Sequence, residues 1–105
     1  GLKMGESKDV TIASGNARYH CAIQKVGTND EVIKIGELVT PLGWARIKNT
    51  DPTNYVEIKK SVGGAIITRI MPGEVVRFRF DPADTAPAAK ANTAQVNIEY
   101  AITET

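Results

Sequence analysis

The stretch Gln95-Val96-Asn97-Ile98-Glu99-Tyr100-Ala101-Ile102-Thr103 alternates with a period of two. Val96, Ile98, Tyr100 and Ile102 fall on one face, and Gln95, Asn97, Glu99 and Ala101 fall on the other. Successive side chains of an extended chain point to opposite sides, so this pattern is a half-buried β-strand and not a helix. Working back from it, the same rhythm recurs between turn signals. Val75 to Phe80 follows Pro72-Gly73, a pair suited to the centre of a type II turn. Ala65 to Met71 runs up to that turn, and Tyr55-Val56-Glu57-Ile58 stops near Gly63-Gly64.

Further upstream, Trp44-Ala45-Arg46-Ile47-Lys48 opens after Pro41-Leu42-Gly43 and closes at Asn49-Thr50-Asp51-Pro52. Val32 to Leu38, carrying Ile33 and Ile35, reads as a strand after the turn Gly27-Thr28-Asn29-Asp30. Tyr19, Cys21 and Ile23 share one face of an earlier strand, with Arg18, His20 and Gln24 opposite. Val10 and Ile12 form a short first strand, closed by Ser14-Gly15-Asn16. Eight short strands with turn signals roughly every 8–12 residues predict an all-β fold. The expected form is a two-sheet sandwich of jelly-roll type, with a Greek-key barrel as the alternative, since periodicity does not order strands.

Two segments break the rhythm. Gly1 to Ser7 is polar and predicts a flexible N-terminal arm, either frayed or ordered on a partner. Asp81 to Ala94 is rich in Ala and Pro without alternation, which predicts a long loop within the single domain spanning 8–105. Short apolar side chains and Pro lose little entropy when pinned, so that loop suits contact with another surface.

Composition narrows the chemistry. The 105 residues suffice for one domain, with 42% hydrophobic and 24% charged side chains. Thirteen basic and twelve acidic residues leave +1, unlike a protein built chiefly to neutralise phosphate backbones. One Cys and one His exclude an internal disulfide and a Cys/His zinc site within one chain. No apolar run reaches the roughly 20 residues of a membrane helix, and no signal core opens the chain. The expectation is synthesis in a reducing cytoplasm, with neither nucleic acid nor membrane as partner.

No catalytic set emerges. His20 and Cys21 are adjacent, so on a strand they point apart and cannot serve as base and nucleophile. Cys21 is expected in the core and His20 at the surface. None of Ser7, Ser14 and Ser61 lies in a Gly-x-Ser-x-Gly elbow. The aspartates Asp30, Asp51, Asp81 and Asp84 lie in turns, where Asp bonds its own backbone. Asp81 and Asp84 lack the alternating ligand series of a calcium loop. No metal or cofactor is expected. In Val75-Val76-Arg77-Phe78-Arg79-Phe80, alternation sends Phe78 and Phe80 inward with Val76 and Arg77 and Arg79 outward. Glu57, Glu74 and Glu99 are at hand to neutralise those arginines. Trp44 divides two functions: exposed among polar groups it favours sugar binding, and buried it favours a structural role.

Three stretches together resemble small proteins encoded among the virion genes of tailed bacteriophages. They are Gly43-Trp44-Ala45-Arg46-Ile47-Lys48-Asn49-Thr50-Asp51-Pro52-Thr53-Asn54-Tyr55-Val56-Glu57-Ile58, then Ile70-Met71-Pro72-Gly73-Glu74-Val75-Val76-Arg77-Phe78, then Ala89-Lys90-Ala91-Asn92-Thr93-Ala94-Gln95-Val96-Asn97-Ile98-Glu99-Tyr100. The similarity spans roughly residues 17–104, the first third matching in strand pattern only. The resemblance implies a non-enzymatic virion component, most like a capsid decoration or cement protein. Such proteins sit as trimers on the shell and bridge neighbouring major capsid subunits. On this view the protein is made in the bacterial host cytoplasm and ends on the capsid surface. The alternative is a tail or baseplate module, or a glycan binder displayed on the virion. A small hydrolase or metal-dependent enzyme would need an acid–base constellation that the sequence does not show.

The candidate interface residues fall in three groups. Gly1, Leu2, Lys3 and Met4 lie in the arm, and Asp81, Pro82, Pro87 and Lys90 in the long loop. Arg46, Lys48, Arg77 and Arg79 are solvent-side charges suited to ion pairs with an acidic capsid surface, or else a plain solvated sheet face.

Overall fold

The computed structural model describes the backbone of residues 10–14 and 17–105 and the side chains from Arg18 onward. The expected arm, with Gly1, Leu2, Lys3 and Met4, lies outside the described residues. Nine strands are present among the described residues, and no helix. They are β1 (Val10–Ser14), β2 (Ala17–Val26), β3 (Glu31–Val32), β4 (Leu42–Asn49), β5 (Val56–Lys59), β6 (Ile66–Ile70), β7 (Val75–Arg79), β8 (Ala88–Ala91) and β9 (Val96–Glu104).

All pairings are antiparallel, and the strands form two sheets. The first has five strands in the order β1-β2-β9-β4-β7, and the second has four in the order β3-β8-β5-β6. Apart from β1, the pairs β2/β9, β3/β8, β4/β7 and β5/β6 nest inside one another, as in a long hairpin with its tip between β5 and β6. Additional pairing of β4 with β9 and of β5 with β8 rolls that hairpin into two facing sheets. This is the jelly-roll order. The fold is therefore the expected sandwich, with β1 added at one edge.

Alternation supplies the core. Val96, Ile98, Tyr100 and Ile102 of β9, with Ile47 beside them on β4, form one core cluster with Val56, Ile58, Ile70, Ala89 and Ala91 of the other sheet, all fully or almost fully buried. Each large aliphatic side chain so buried contributes about 1.5–3 kcal/mol. Phe80 joins this core, with Val76 and Phe78 packed against it, and the two phenylalanine rings meet edge to face at 4.9 Å. The inward phenylalanines agree with the alternation of β7. At the Pro72-Gly73 turn, Glu74 N–H donates to the Met71 carbonyl at 3.0 Å and Gly73 has a φ of 78°. Those are the features of a type II turn, whose third position favours glycine.

Four expectations are corrected. First, Asp81 to Ala94 is not one loop: β8 runs through it as an interior strand between β3 and β5, and Pro87 just before it is buried. Alanine has little β preference, so Ala88-Ala89-Lys90-Ala91 looks unlike a strand, yet its three alanines are fully buried.

Second, the strand expected from Val32 to Leu38 is only Glu31–Val32. Beyond it, side chains replace the ladder. Gln24 donates from Nε2 to the Val32 carbonyl at 3.1 Å and accepts Lys34 N–H at 2.9 Å. Tyr100 donates its hydroxyl to the Lys34 carbonyl at 2.6 Å, and Ile33 N–H bonds the Pro87 carbonyl.

Third, the faces of β2 are reversed. The register Ala22–Tyr100, Gln24–Ile98 and Val26–Val96 turns His20, Ala22, Gln24 and Val26 inward and Tyr19, Cys21, Ile23 and Lys25 outward. His20 is buried, its ring 6.3 Å from that of Tyr100. Two polar inward residues, His20 and Gln24, disguise the pattern, and the core makes use of the Gln24 amide. Cys21 is nevertheless buried, and that burial pushes its thiol up.

Fourth, Trp44 does not open its strand. A β-bulge lies between Leu42 and Ala45, which pair with Glu104 and Ile102. Three steps along β4 thus match two along β9. Leu42 and Trp44, two residues apart, would share a face in a regular strand. The extra residue resets the parity, so Leu42 points into the core and Trp44 points out.

Candidate interaction face

The site is built on the outer face of the five-stranded sheet. Register places its side chains in cross-strand rows. One row joins Tyr19–Thr103 to Trp44–Arg79 across the bulge, the next reads Cys21–Ala101–Arg46–Arg77, and the third Ile23–Glu99–Lys48–Val75. Neighbouring strands lie ~4.8 Å apart, so each row presents a nearly flat line of side chains. Trp44 is 56% exposed, and Arg77 and Arg79 are exposed beside it. Arg46 and Lys48 are half-buried, their stems lying along the sheet.

Two local features hold Trp44 outward. Its backbone N–H donates to Thr103 Oγ1 at 2.8 Å, where the bulge has removed a ladder partner. Gly43 makes the close approach possible, because a Cβ there would lie 2.7 Å from the same Thr103 hydroxyl oxygen and 3.3 Å from the Glu104 carbonyl. The result is an open depression of about 300 Å³ lined by Trp44, Ala45, Arg46, Arg77, Ala101 and Thr103.

Among the described residues, Arg46, Lys48, Arg77 and Arg79 make no ion pair within 4 Å. The carboxylates expected to neutralise the arginines serve elsewhere or stand apart. Glu57 holds Arg69 at 3.0 Å on the other sheet. Glu74 accepts the Met71 N–H at 2.9 Å inside its own turn. Glu99 lies opposite Lys48 in register without closing an ion pair. Arg46 and Arg77 are direct cross-strand neighbours, a like-charge arrangement that costs a few tenths of a kcal/mol or more. An anion between them would reverse that sign.

The remaining candidates are dispersed. Asp81 accepts the Ala83 N–H at 2.9 Å in a turn, and Pro82 is exposed next to it. Pro87 is buried and gives its carbonyl to Ile33, so it offers no contact surface. Lys90 is half-buried on the other sheet, opposite Glu57. Lys90 and the buried Pro87 therefore lie apart from the arginine face. What sequence reading missed is the coupling of Trp44 to the four cations. Trp44 and Arg46 are alternate residues and so share a face, which was the available signal; the bulge that exposes them carried none.

Ion pairs elsewhere stitch the scaffold. Arg18 holds Glu104 through two bonds, Nε to Oε1 at 3.1 Å and Nη2 to Oε2 at 3.3 Å, and Glu104 also accepts Val39 N–H. The guanidinium and that amide hold the Glu104 carboxyl below its ordinary range. Asp30 is lowered likewise by Lys59, 2.8 Å away, and by Gly63 N–H. Asp51 is lowered by the backbone N–H groups of Asn54 and Thr53 in its turn. These carboxylates are turn and bridge elements. Among the described residues, no three His, Cys, Asp or Glu side chains converge as metal ligands would. His20 and Cys21 face opposite sides of β2.

No family model matches this chain, and no curated protein matches it. Two solved structures are similar in fold. One is protein NMB1881 from Neisseria meningitidis, at a TM-score of 0.45 and 9% identity over 92% of this chain and 84% of that one. The other is a "putative mannose-6-phosphate isomerase" from Ralstonia eutropha JMP134, at a TM-score of 0.40 and 9% identity over 99% of this chain and 92% of that one. Likeness at this level speaks neither for nor against an activity of this chain.

Proposed function

We propose that this chain is a non-enzymatic structural protein of a tailed-phage virion, a decoration protein that docks on the assembled capsid and bridges its subunits. The observation that carries the reading is the set of cations Arg46, Lys48, Arg77 and Arg79, which make no ion pair among the described residues and gather on one sheet face beside Trp44. Trp and Arg are the residue types that dominate protein–protein binding energy. The three stretches that resemble phage virion proteins support the same reading, and they supply the expectation of a trimer on the shell. Such a protein stabilises by mass action, because it binds the assembled shell and not the free subunit. Many copies share the load, so no single contact needs to be strong.

A second reading, a glycan-binding module on the virion, is favoured by Trp44, which is exposed among polar groups and not buried as the structural role was expected to have it. The groups around the ring count against it. Arg46, Arg77 and Arg79 only donate hydrogen bonds, and Thr103 Oγ1 is engaged by the Trp44 backbone. A neutral sugar needs acceptors as well as donors, whereas a carboxylate needs only donors.

The test is to add purified protein to phage heads that lack it, and to count copies bound per head and heat resistance gained. Saturable binding with raised heat resistance supports the proposal. Binding to tails alone, or no gain in stability, overturns it. Light scattering after size exclusion reads the oligomeric state in the same preparation.

A further inference from the structure

The outer face has a finer structure than a general positive charge. Its depression is walled by Trp44, Ala45 and Ala101 on the apolar side and rimmed by Arg46 and Arg77. The two guanidiniums extend from register-opposed residues, whose Cα atoms stand roughly 4.5–5.5 Å apart in an antiparallel pair. Arg79 stands opposite Trp44 on the next row, and Lys48 two residues beyond Arg46. The described cations of the three rows number four against one carboxylate, Glu99, although the whole chain carries only +1.

We propose that this face recognises an acidic protein segment by a two-point contact. One apolar side chain of the partner seats against Trp44 and Ala101. A flanking carboxylate bridges Arg46 and Arg77. The inference rests on the docking role proposed above and names the chemistry of the partner surface. Charge complementarity selects the occupant, because opposed guanidiniums match a planar carboxylate and relieve their mutual repulsion in doing so. The apolar floor excludes a purely electrostatic contact, since an extended polyanion would leave the depression unfilled. Single-strand nucleic acid is the competing occupant, for it too pairs cations with a stacking ring.

The chain contains one tryptophan, so its fluorescence reports this face directly. The probes are a short synthetic peptide of Glu residues around a central Leu, the same peptide with Gln for Glu, and an oligothymidylate. The Glu peptide is expected to bind with a shift in Trp44 emission. Its affinity should fall roughly tenfold or more in Arg77→Glu and Arg46→Glu, and should weaken with added salt. Both arginines are solvent-facing, and an unchanged melting curve for each variant separates lost binding from lost folding. The inference is overturned if the Gln peptide binds equally, if oligothymidylate binds more tightly, or if no probe shifts Trp44 at low salt. Heads that bind wild type and Arg77→Glu alike would overturn it too while leaving the decoration role standing. Peptide binding without head binding would remove the decoration role instead.

Discussion

The side-chain amide of Asn49 donates to the carbonyl oxygen of Ile70 at 3.0 Å, tying the end of β4 in one sheet to the end of β6 in the other. The same amide donates to the Asn54 carbonyl at 2.8 Å, and its oxygen accepts the Asp51 N–H at 2.8 Å. Its own backbone completes the join, bonding Glu74 and Gly73 across the neighbouring turn. Asn49 is fully buried, and loss of its amide would strand the buried Ile70 carbonyl and remove two further bonds. Asn49→Ala is expected to cost on the order of 2–3 kcal/mol, lowering Tm by roughly 10 °C or more in a thermal melt. Asn49→Asp should be worse, since it removes both donors and buries a charge.

Gln24 and Tyr100 carry the backbone that follows β3. Tyr100→Phe keeps the ring in the core and removes the hydroxyl's bonds to the Lys34 carbonyl and Gln24 Oε1, so a loss of about 1–2 kcal/mol is expected. Gln24→Ala strands two backbone groups and should cost more. Chemical denaturation of the two variants, at unchanged m, gives the ranking.

Gly43 sets the bulge that turns Trp44 outward. Gly43→Val would drive a side chain into Thr103, whose hydroxyl accepts the Trp44 N–H. Expected are a destabilisation of about 1–3 kcal/mol and a shift of Trp44 emission in the folded protein. Retained stability with native emission would show that the bulge does not depend on glycine.

Acid should unfold this protein through identifiable carboxylates. Glu104, Asp30 and Asp51 all titrate below their ordinary range in the folded chain, held there by Arg18, by Lys59, and by the amides of Asn54 and Thr53. A lowered folded value means stability that is full above the unfolded value and lost as pH falls through the folded one. Tm should therefore be level from neutral pH to about pH 5 and fall below roughly pH 4. Asp30→Asn should flatten part of that fall in melts recorded across the range.

The fold was legible wherever alternation met an apolar core. The β9 pattern, the inward phenylalanines of β7 and the Pro72-Gly73 turn all stand as the sequence implies. It was illegible where another interaction substitutes for the expected one. In β8, buried alanines stand where branched residues would signal a strand; after β3, Gln24 and Tyr100 replace a strand partner; on β2, buried His20 and Gln24 mimic a surface face. For the candidate face, the cations and Trp44 could be named singly from their residues. Their assembly depends on strand order and on one bulge, and both arise from pairings between residues far apart in sequence.

The position of β9 has a consequence for how the chain comes into being. It lies between β2 and β4, bonded to both, and joins Tyr19 to Thr103 at one end. Until those last strand residues leave the ribosome, the larger sheet has a gap at its middle and two bare edges. Exposed edges of this kind recruit strands from other chains. Synthesis interrupted after Gln95 should therefore yield insoluble material, and release of the full strand should be followed by slow, all-at-once closure of the roll.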